Sequence, residues 1–398
     1  MTTRRLRLLY VIDSLVPAGA ERSLVELSPE LQRRGVDLQV AHLLDRPGLQ
    51  DELAGTGASV ICLAGPGGRR GALTRVRRCI RQVQPQLVHT TLFEADVAGR
   101  VGAALERVPV VSSVVSDLYG PTHAGNPELV AWKVRATQVV NAATMRLTRR
   151  VHAVSVTAAT AVRRRLRYPA DRIDVIHRGR DPSVLGRRTA ERRHRARAAL
   201  GLGADDAVVL AVARHERAKG LDLLVDAAGE LVEGRPGLRF LVAGRPGRAT
   251  GDLHRRISGL GLTGSVQLLG ERADVAELMC AADVVAVPSR SEGFPGVVVE
   301  ALALEAPLVV SDIAQVREAA TEGTALFVQP GSGTTLAGGL SCALADRAAA
   351  VLRARRGRSH FDAALTTSRI GEEMMGFYHR ALGWDAVEPE HRAERSTV

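Results

Sequence analysis

Lysine is almost missing from this chain: of 54 basic residues only Lys133 and Lys219 are lysines, and the other 52 are arginine. Aromatic residues are equally sparse, at 3%. A basic surface without interleaved stacking aromatics, and without a recognisable binding module, does not fit nucleic acid as a partner. The four cysteines, Cys62, Cys79, Cys280 and Cys342, are far apart and show neither C-x-x-C nor Cys/His spacing. Neither a zinc site nor a disulfide framework is expected, and all four read as reduced thiols in core positions. No apolar run approaches the length that spans a bilayer, and residues 1–7 are too basic and too quickly followed by a strand to read as a secretion signal. The expectation is a soluble, cytoplasmic protein.

What is present is ample aliphatic residue. A chain of 398 residues that is 45% hydrophobic exceeds the usual single-core limit, so two domains are expected, with cores of Ala, Val and Leu. The formal net charge of +11 is compatible with an anionic membrane face or a phosphorylated substrate.

Residues 6–12 read as a strand buried on both faces, 13–19 as a glycine-containing loop, 21–34 as an amphipathic helix and 38–44 as a second strand. Further strands are expected at 59–63, 87–90, 108–115, 152–156 and 173–176, with helices between them. Residues 179–182 break regular structure, and an arginine-rich helical connection follows at 187–200. A second series of strands is expected at 207–213, 239–243, 266–269, 284–287, 308–310 and 325–328. Alternation of this kind predicts two doubly wound α/β domains, with chemistry at the carboxyl ends of the strands and in the cleft between the domains. The predicted organisation is residues 1–182 as a first Rossmann-like domain, 183–367 as a second, 368–383 as a terminal helix and 384–398 as a disordered tail.

Residues 288–312, PSRSEGFPGVVVEALALEAPLVVSD, combine a strand exit, a turn, a helix start at Pro295 and two spaced carboxylates, Glu292 and Glu300. Free N–H groups at Gly296 and Val297, with the positive end of the helix dipole, favour an anion such as a diphosphate. Directly after the first strand of the second domain come Arg214 and, five positions later, Lys219, one of the two lysines of the chain. A guanidinium and an ammonium at a strand exit suit the same anion. Taken singly, such residues are as readily solvated loop charges.

The string EGFP-x4-E, followed by an apolar stretch and Ser-Asp, resembles the signature of the family-four retaining glycosyltransferases, which have the GT-B fold: α/β, two Rossmann-like domains facing an interdomain cleft. The resemblance extends over nearly the whole chain and is densest over 212–318. It implies a sugar transferred from a nucleoside diphosphate sugar, a UDP-sugar first among them, to a hydroxyl acceptor, without a metal or other cofactor. In the family the residues matching Arg214 and Lys219 bind the pyrophosphate; by the same analogy Glu292 contacts the donor sugar, acting with them in catalysis, and Glu300 the ribose diol. Gly244, in the turn Gly244–Arg–Pro–Gly247, and Arg272, in a segment that runs along the base in relatives, join the donor side with Phe294, Pro295, Gly296 and Val297. Pro17–Ala–Gly–Ala–Glu–Arg22 resembles the glycine-rich loop and assigns Gly19 to the donor, although Ala18 stands where relatives carry a second glycine. The terminal helix is expected to pack back on the first domain.

Three departures bear on the acceptor side. His89–Thr90–Thr91 stands where many relatives have His-x-His, so Thr91 replaces the histidine used near the sugar and His89 is as readily structural. Glu305 replaces the glycine that often ends the carboxylate helix, where a left-handed cap costs on the order of 1 kcal/mol. Ala314–Gln315 replaces a Gly-Gly pair, although Glu318 is present. Expected partners are the nucleotide-sugar and a glycan or lipid-linked acceptor, with peripheral contact at an anionic inner membrane face through Arg75, Arg78, Arg81 and residues 163–165. Two other readings stand beside transfer: a GT-B sugar-nucleotide epimerase, and a non-catalytic nucleotide-sugar-binding partner of another transferase.

Overall fold

The computed structural model describes residues 5–116, 119, 130–203 and 205–384. Seven parallel strands form the first sheet: β1 (Leu6–Ile12), β2 (Val36–His42), β3 (Ser59–Cys62), β4 (Leu87–Thr91), β5 (Val110–Val114), β6 (Arg150–Ala153) and β7 (Ile173–Val175), in the order β3-β2-β1-β4-β5-β6-β7. Six form the second: β8 (Ala207–Val212), β9 (Leu238–Ala243), β10 (Val266–Gly270), β11 (Val284–Val287), β12 (Leu308–Ser311) and β13 (Leu326–Val328), in the order β10-β9-β8-β11-β12-β13. The central strands are β-branched and buried on both faces, as β11 (Val-Val-Ala-Val, all four residues buried) illustrates.

Both sheets reverse winding direction once, between β1 and β4 and between β8 and β11. At such a point the loops leaving adjacent strands diverge to opposite faces and open a crevice. The loop ahead of the first helix (Gly19–Arg33) leaves β1, and the turn bearing Lys219 leaves β8, so both crevices carry residues singled out above.

The chain passes between the domains twice, and the passages are bonded to each other. Arg180 N–H donates to Leu365 O at 2.9 Å, and Thr367 N–H donates to Arg180 O at 3.0 Å. The second passage leads into the terminal helix (Thr367–Leu382), which starts on a Thr366 hydroxyl cap. Its Ile370, Met374, Phe377 and Tyr378 are buried in one cluster with β1, β2 and the first helix.

Several expectations need correction. Cys79 and Cys280 are buried, but Cys62 and Cys342 are exposed, because Cys62 closes edge strand β3 and Cys342 lies on the outer side of a helix (Gly333–Ala345). Pro295 caps the helix Gly296–Ala303 rather than opening it. Trp384 is part of the folded end, its ring 5.6 Å from His379, and the remainder of the expected tail lies outside the described residues. Among the described residues no single helix is long and apolar enough to cross a membrane.

Candidate functional site

After β8 the chain turns through Arg217–Lys219 into Gly220, which has φ +65° and heads the next helix (Leu221–Leu231). A Cβ on Gly220 would overlap the carbonyl oxygen of Pro288 at the exit of β11. Only glycine therefore lets the two loops touch, and that contact brings Lys219 beside Glu292. Lys219 Nζ lies 2.7 Å from Glu292 Oε1 and 2.6 Å from Oε2, and Ser289 Oγ donates to Oε1 at 2.7 Å. Both side chains line a cavity of about 50 Å³ with Pro295, Gly296 and Val297. The N–H groups of Val298 and Val299 return to Pro295 O, which leaves those of Gly296 and Val297 for an outside acceptor.

One turn further, Glu300 is already engaged. Its Oε1 accepts from Arg180 Nε at 2.7 Å, and Arg180 Nη1 also reaches Glu26 Oε2 in the first helix at 3.0 Å. Burial pushes the Glu26 carboxyl up to about 7, with the Arg180 guanidinium pulling the other way. Arg180 thus holds a first-domain and a second-domain carboxylate together beside Gly296. Glycine matters once more at Gly293, where a Cβ would overlap Val115 O at the exit of β5, so the loop carrying Glu292 rests directly on the first domain.

Facing this wall are the start of the first helix and the Gly244 turn. Gly244 and Gly247 lie against the backbone of Ala213 and His215, which holds that turn beside the β8 exit. The Arg214 and Arg245 side chains make no ion pair among the described residues, and both lie within electrostatic reach of Glu21, whose carboxyl is raised by burial. Asp13, at the end of β1, is raised by burial to about 6 although its carboxylate accepts from Ala95 N–H at 2.6 Å.

The structure sets other expected residues away from this wall. Phe294 is 3% exposed and its ring stacks on His177 at 4.6 Å, so its side chain is packing between the domains rather than donor surface. Arg272 is bound by Asp274 at 2.6 Å on a separate shallow groove with Arg195 and Glu277. His89 is buried between Tyr378 Oη at 2.9 Å and Ser113 Oγ at 2.7 Å, and Thr91 Oγ1 lies 2.6 Å from Tyr10 Oη. His89 also lines a cavity with Tyr10, Ser113 and His177, whereas Thr91 is held inside the first sheet by its bond to Tyr10. On the basic face, Arg75 is spent on the carbonyls of Leu63 and Pro66, and Arg81 on Glu106. Among the described residues no group of three or more His, Cys, Asp or Glu is arranged to hold a metal ion.

Sequence reasoning passed over Glu21, Glu26, Arg178 and Arg180. Glu21 was visible inside the glycine loop, but the two arginines sit in a crossing segment with no periodicity to mark them.

Comparison with known proteins fits this geometry. Residues 17–184 match the family model for glycosyltransferase family 4, and residues 206–346 match that for glycosyl transferases group 1. The D-inositol 3-phosphate glycosyltransferase of Mycobacterium tuberculosis is 36% identical over 239 residues, which is 56% of this chain and 46% of that protein. The chain thus spans about half the length of the curated relatives it matches. HepE of Anabaena, solved in complex with UDP-glucose, superposes with a TM-score of 0.83 at 23% identity over 94% of this chain and 99% of that one. Sucrose-phosphate synthase from Thermosynechococcus elongatus gives 0.78 at 19% identity over 96% and 100%. With two parallel α/β domains in the GT-B arrangement and two family models that together account for most of its length, the chain belongs to the family-four-type glycosyltransferases.

Proposed function

We propose that the protein is a retaining glycosyltransferase that moves a sugar from a nucleoside diphosphate sugar, a UDP-sugar foremost, onto a hydroxyl of a glycan, glycolipid or secondary metabolite. The observation that carries this reading is the convergence of Lys219, Glu292 and the free N–H groups of Gly296 and Val297 on one cavity at a topological switch point. UDP-glucose in HepE supports a UDP donor, and the mycobacterial relatives support a polyol acceptor.

In this reading the diphosphate sits on the helix start, and Arg214 and Lys219 neutralise the charge that develops as it leaves. Preorganised charges of this kind contribute strongly because they need no rearrangement at the moment of reaction. Lys219 turns from Glu292 to the phosphate, which frees a Glu292 oxygen for a hydroxyl of the transferred sugar. Glu300 accepts the ribose diol with the oxygen that Arg180 leaves open. The acceptor attacks the anomeric carbon from the side the diphosphate vacates, its hydroxyl proton passing to the departing diphosphate oxygen, and no metal takes part. The segments 17–184 and 206–346 supply the two walls, so 1–182 and 183–367 act as acceptor-side and donor-side domains. Exposed Arg78, Arg163 and Arg164 provide a reduced basic face for an anionic membrane at the cytoplasmic side, and co-sedimentation with anionic liposomes at low salt tests it.

Donor hydrolysis and thermal shift across UDP-, GDP- and dTDP-sugars test the whole reading. Hydrolysis with one donor class and a matching shift is expected. Binding without turnover would transfer the assignment to a non-catalytic subunit, and epimerisation of the donor would make it an epimerase.

A further inference from the structure

Most arginines near the domain boundary are committed: Arg180 to Glu26 and Glu300, Arg192 to Glu277, Arg193 and Arg197 to Asp283. Arg178 is not. It lies in the first crossing segment, and its side chain forms no hydrogen bond or ion pair among the described residues. Its guanidinium sits beneath the start of the first helix, where a Cβ on Gly19 would come within 2.5 Å of Nη1. Half-buried and without a partner, it is brought down to about 10, chiefly by desolvation.

Glu21, two residues into that helix from Gly19, is the counterpart. It is 5% exposed, and its Oε2 is buried with no hydrogen-bond partner. Glu21 and Arg178 act on each other electrostatically but do not close into an ion pair. A buried carboxylate oxygen without a partner beside a half-buried, unpaired guanidinium is uncommon in folded proteins unless a further group completes the pair.

The chemistry of a group that would complete the pair follows from what it must do. A phosphate or carboxylate would suit Arg178 and be repelled by Glu21, and an ammonium would do the reverse. A hydroxyl serves both, donating its proton to Glu21 and accepting from Arg178, and neighbouring hydroxyls of one ring can bridge a wider gap. Glu292 is among the charges that act on Arg178, and Arg214 among those that act on Glu21, so the pair borders the proposed reaction centre. Arg178 also lines a cavity of about 60 Å³ with Tyr10, Ser113 and His177. A site that size holds a few waters, or a hydroxymethyl group in their place.

We infer that Glu21 and Arg178 form a hydroxyl-binding subsite that grips a sugar or polyol from the first-domain side of the cleft and fixes which hydroxyl faces the reaction. The subsite rests on the donor reading above. The hydroxyls can belong to the donor's sugar or to the acceptor, and one experiment separates these sources.

Titration calorimetry on wild type, Glu21→Ala and Arg178→Ala would compare UDP with UDP-glucose and GDP with GDP-mannose, then add glucose or myo-inositol to the nucleotide-loaded protein. In wild type, a gain of the sugar nucleotide over the bare nucleotide places the subsite on the donor, and binding of the free polyol places it on the acceptor. Each variant is expected to lose about tenfold or more of that gain while bare nucleotide affinity stays within about threefold. A donor gain or polyol binding undiminished in both variants, neither a donor gain nor polyol binding in wild type, or an equal loss for the bare nucleotide would overturn the subsite and leave the donor reading standing. No nucleotide binding by wild type would overturn both. Thermal melts check folding, and Arg178→Lys and Glu21→Gln, which preserve volume, replace any variant that fails to fold.

Discussion

Lys219 and Glu292 are 73 residues apart and meet because Gly220 adopts a backbone conformation open to few other residues. Replacing either partner is expected to lower turnover roughly 10²–10³-fold, the usual effect of removing one preorganised charge from a transition state. Steady-state transfer or donor hydrolysis by Lys219→Ala and Glu292→Gln measures this, with unchanged circular dichroism as the control. Gly220→Ala should act differently, through the fold: it forces a left-handed alanine and a clash with Pro288 O, and is expected to cost more than about 1 kcal/mol in denaturant unfolding. Glu305 offers the opposite sign. It has φ +52° just past the helix Gly296–Ala303, where a side chain is strained and a carboxylate opposes the helix dipole. Glu305→Gly is expected to stabilise the protein by about 1 kcal/mol in the same assay.

The terminal helix is tied to the first sheet by a chain of hydrogen bonds whose direction can be worked out. Ile176 O can only accept, so His152 Nε2 must donate to it, at 2.9 Å. A neutral His152 then accepts from Ser113 Oγ–H at Nδ1, Ser113 accepts from His89 Nε2–H, and His89 Nδ1 accepts from Tyr378 Oη–H. Every group is satisfied only while both imidazoles are uncharged. Burial accordingly lowers both, His152 from 6.5 to about 4. The unfolded chain takes up these protons below 6.5 and the folded chain does not until about 4. The resulting stability is fully present above the unfolded value and is lost progressively as pH falls through that window, on the order of 3 kcal/mol for His152. Denaturant unfolding from pH 7 to 4 should show this loss, and His152→Gln should reduce the slope.

For the whole molecule the question is what holds the two domains together. Glu318, after β12, accepts from the N–H groups of Val156 at 2.7 Å and Thr157 at 3.4 Å, the first residues of a first-domain helix (Val156–Arg165). A second-domain carboxylate therefore occupies the positive end of a helix in the other domain. Arg180 between Glu26 and Glu300 makes a second clasp, and Gly293 on Val115 O a third contact. Removing a helix-terminal acceptor costs about 1 kcal/mol, which shifts a closure equilibrium about fivefold. Glu318→Ala is expected to raise the radius of gyration in small-angle scattering and to speed amide exchange at Val156 and Thr157. Unchanged scattering and exchange would mean that Glu318 does not hold the domains.

The sequence by itself determined the local architecture. Runs such as 284–287 can be little but buried parallel strand, and the spacing of strands and helices leaves a doubly wound pair of domains as the natural packing. It also singled out Lys219, Glu292, Gly296 and Val297, which the structure gathers on one cavity, because a strand exit, a turn and a helix start are local features that a short stretch displays. Only the tertiary structure decided how neighbours are shared. Glu300 read as a ribose ligand on its own helix, yet Arg180, 120 residues earlier, holds it; Phe294 was expected on the donor side, yet His177 from the other domain covers it; Arg272 turned to Asp274. The Glu21–Arg178 pair belongs to the same class. Whether a buried charge has a partner depends on which loops two sheets bring face to face, and that is set by packing across the cleft rather than by periodicity along the chain.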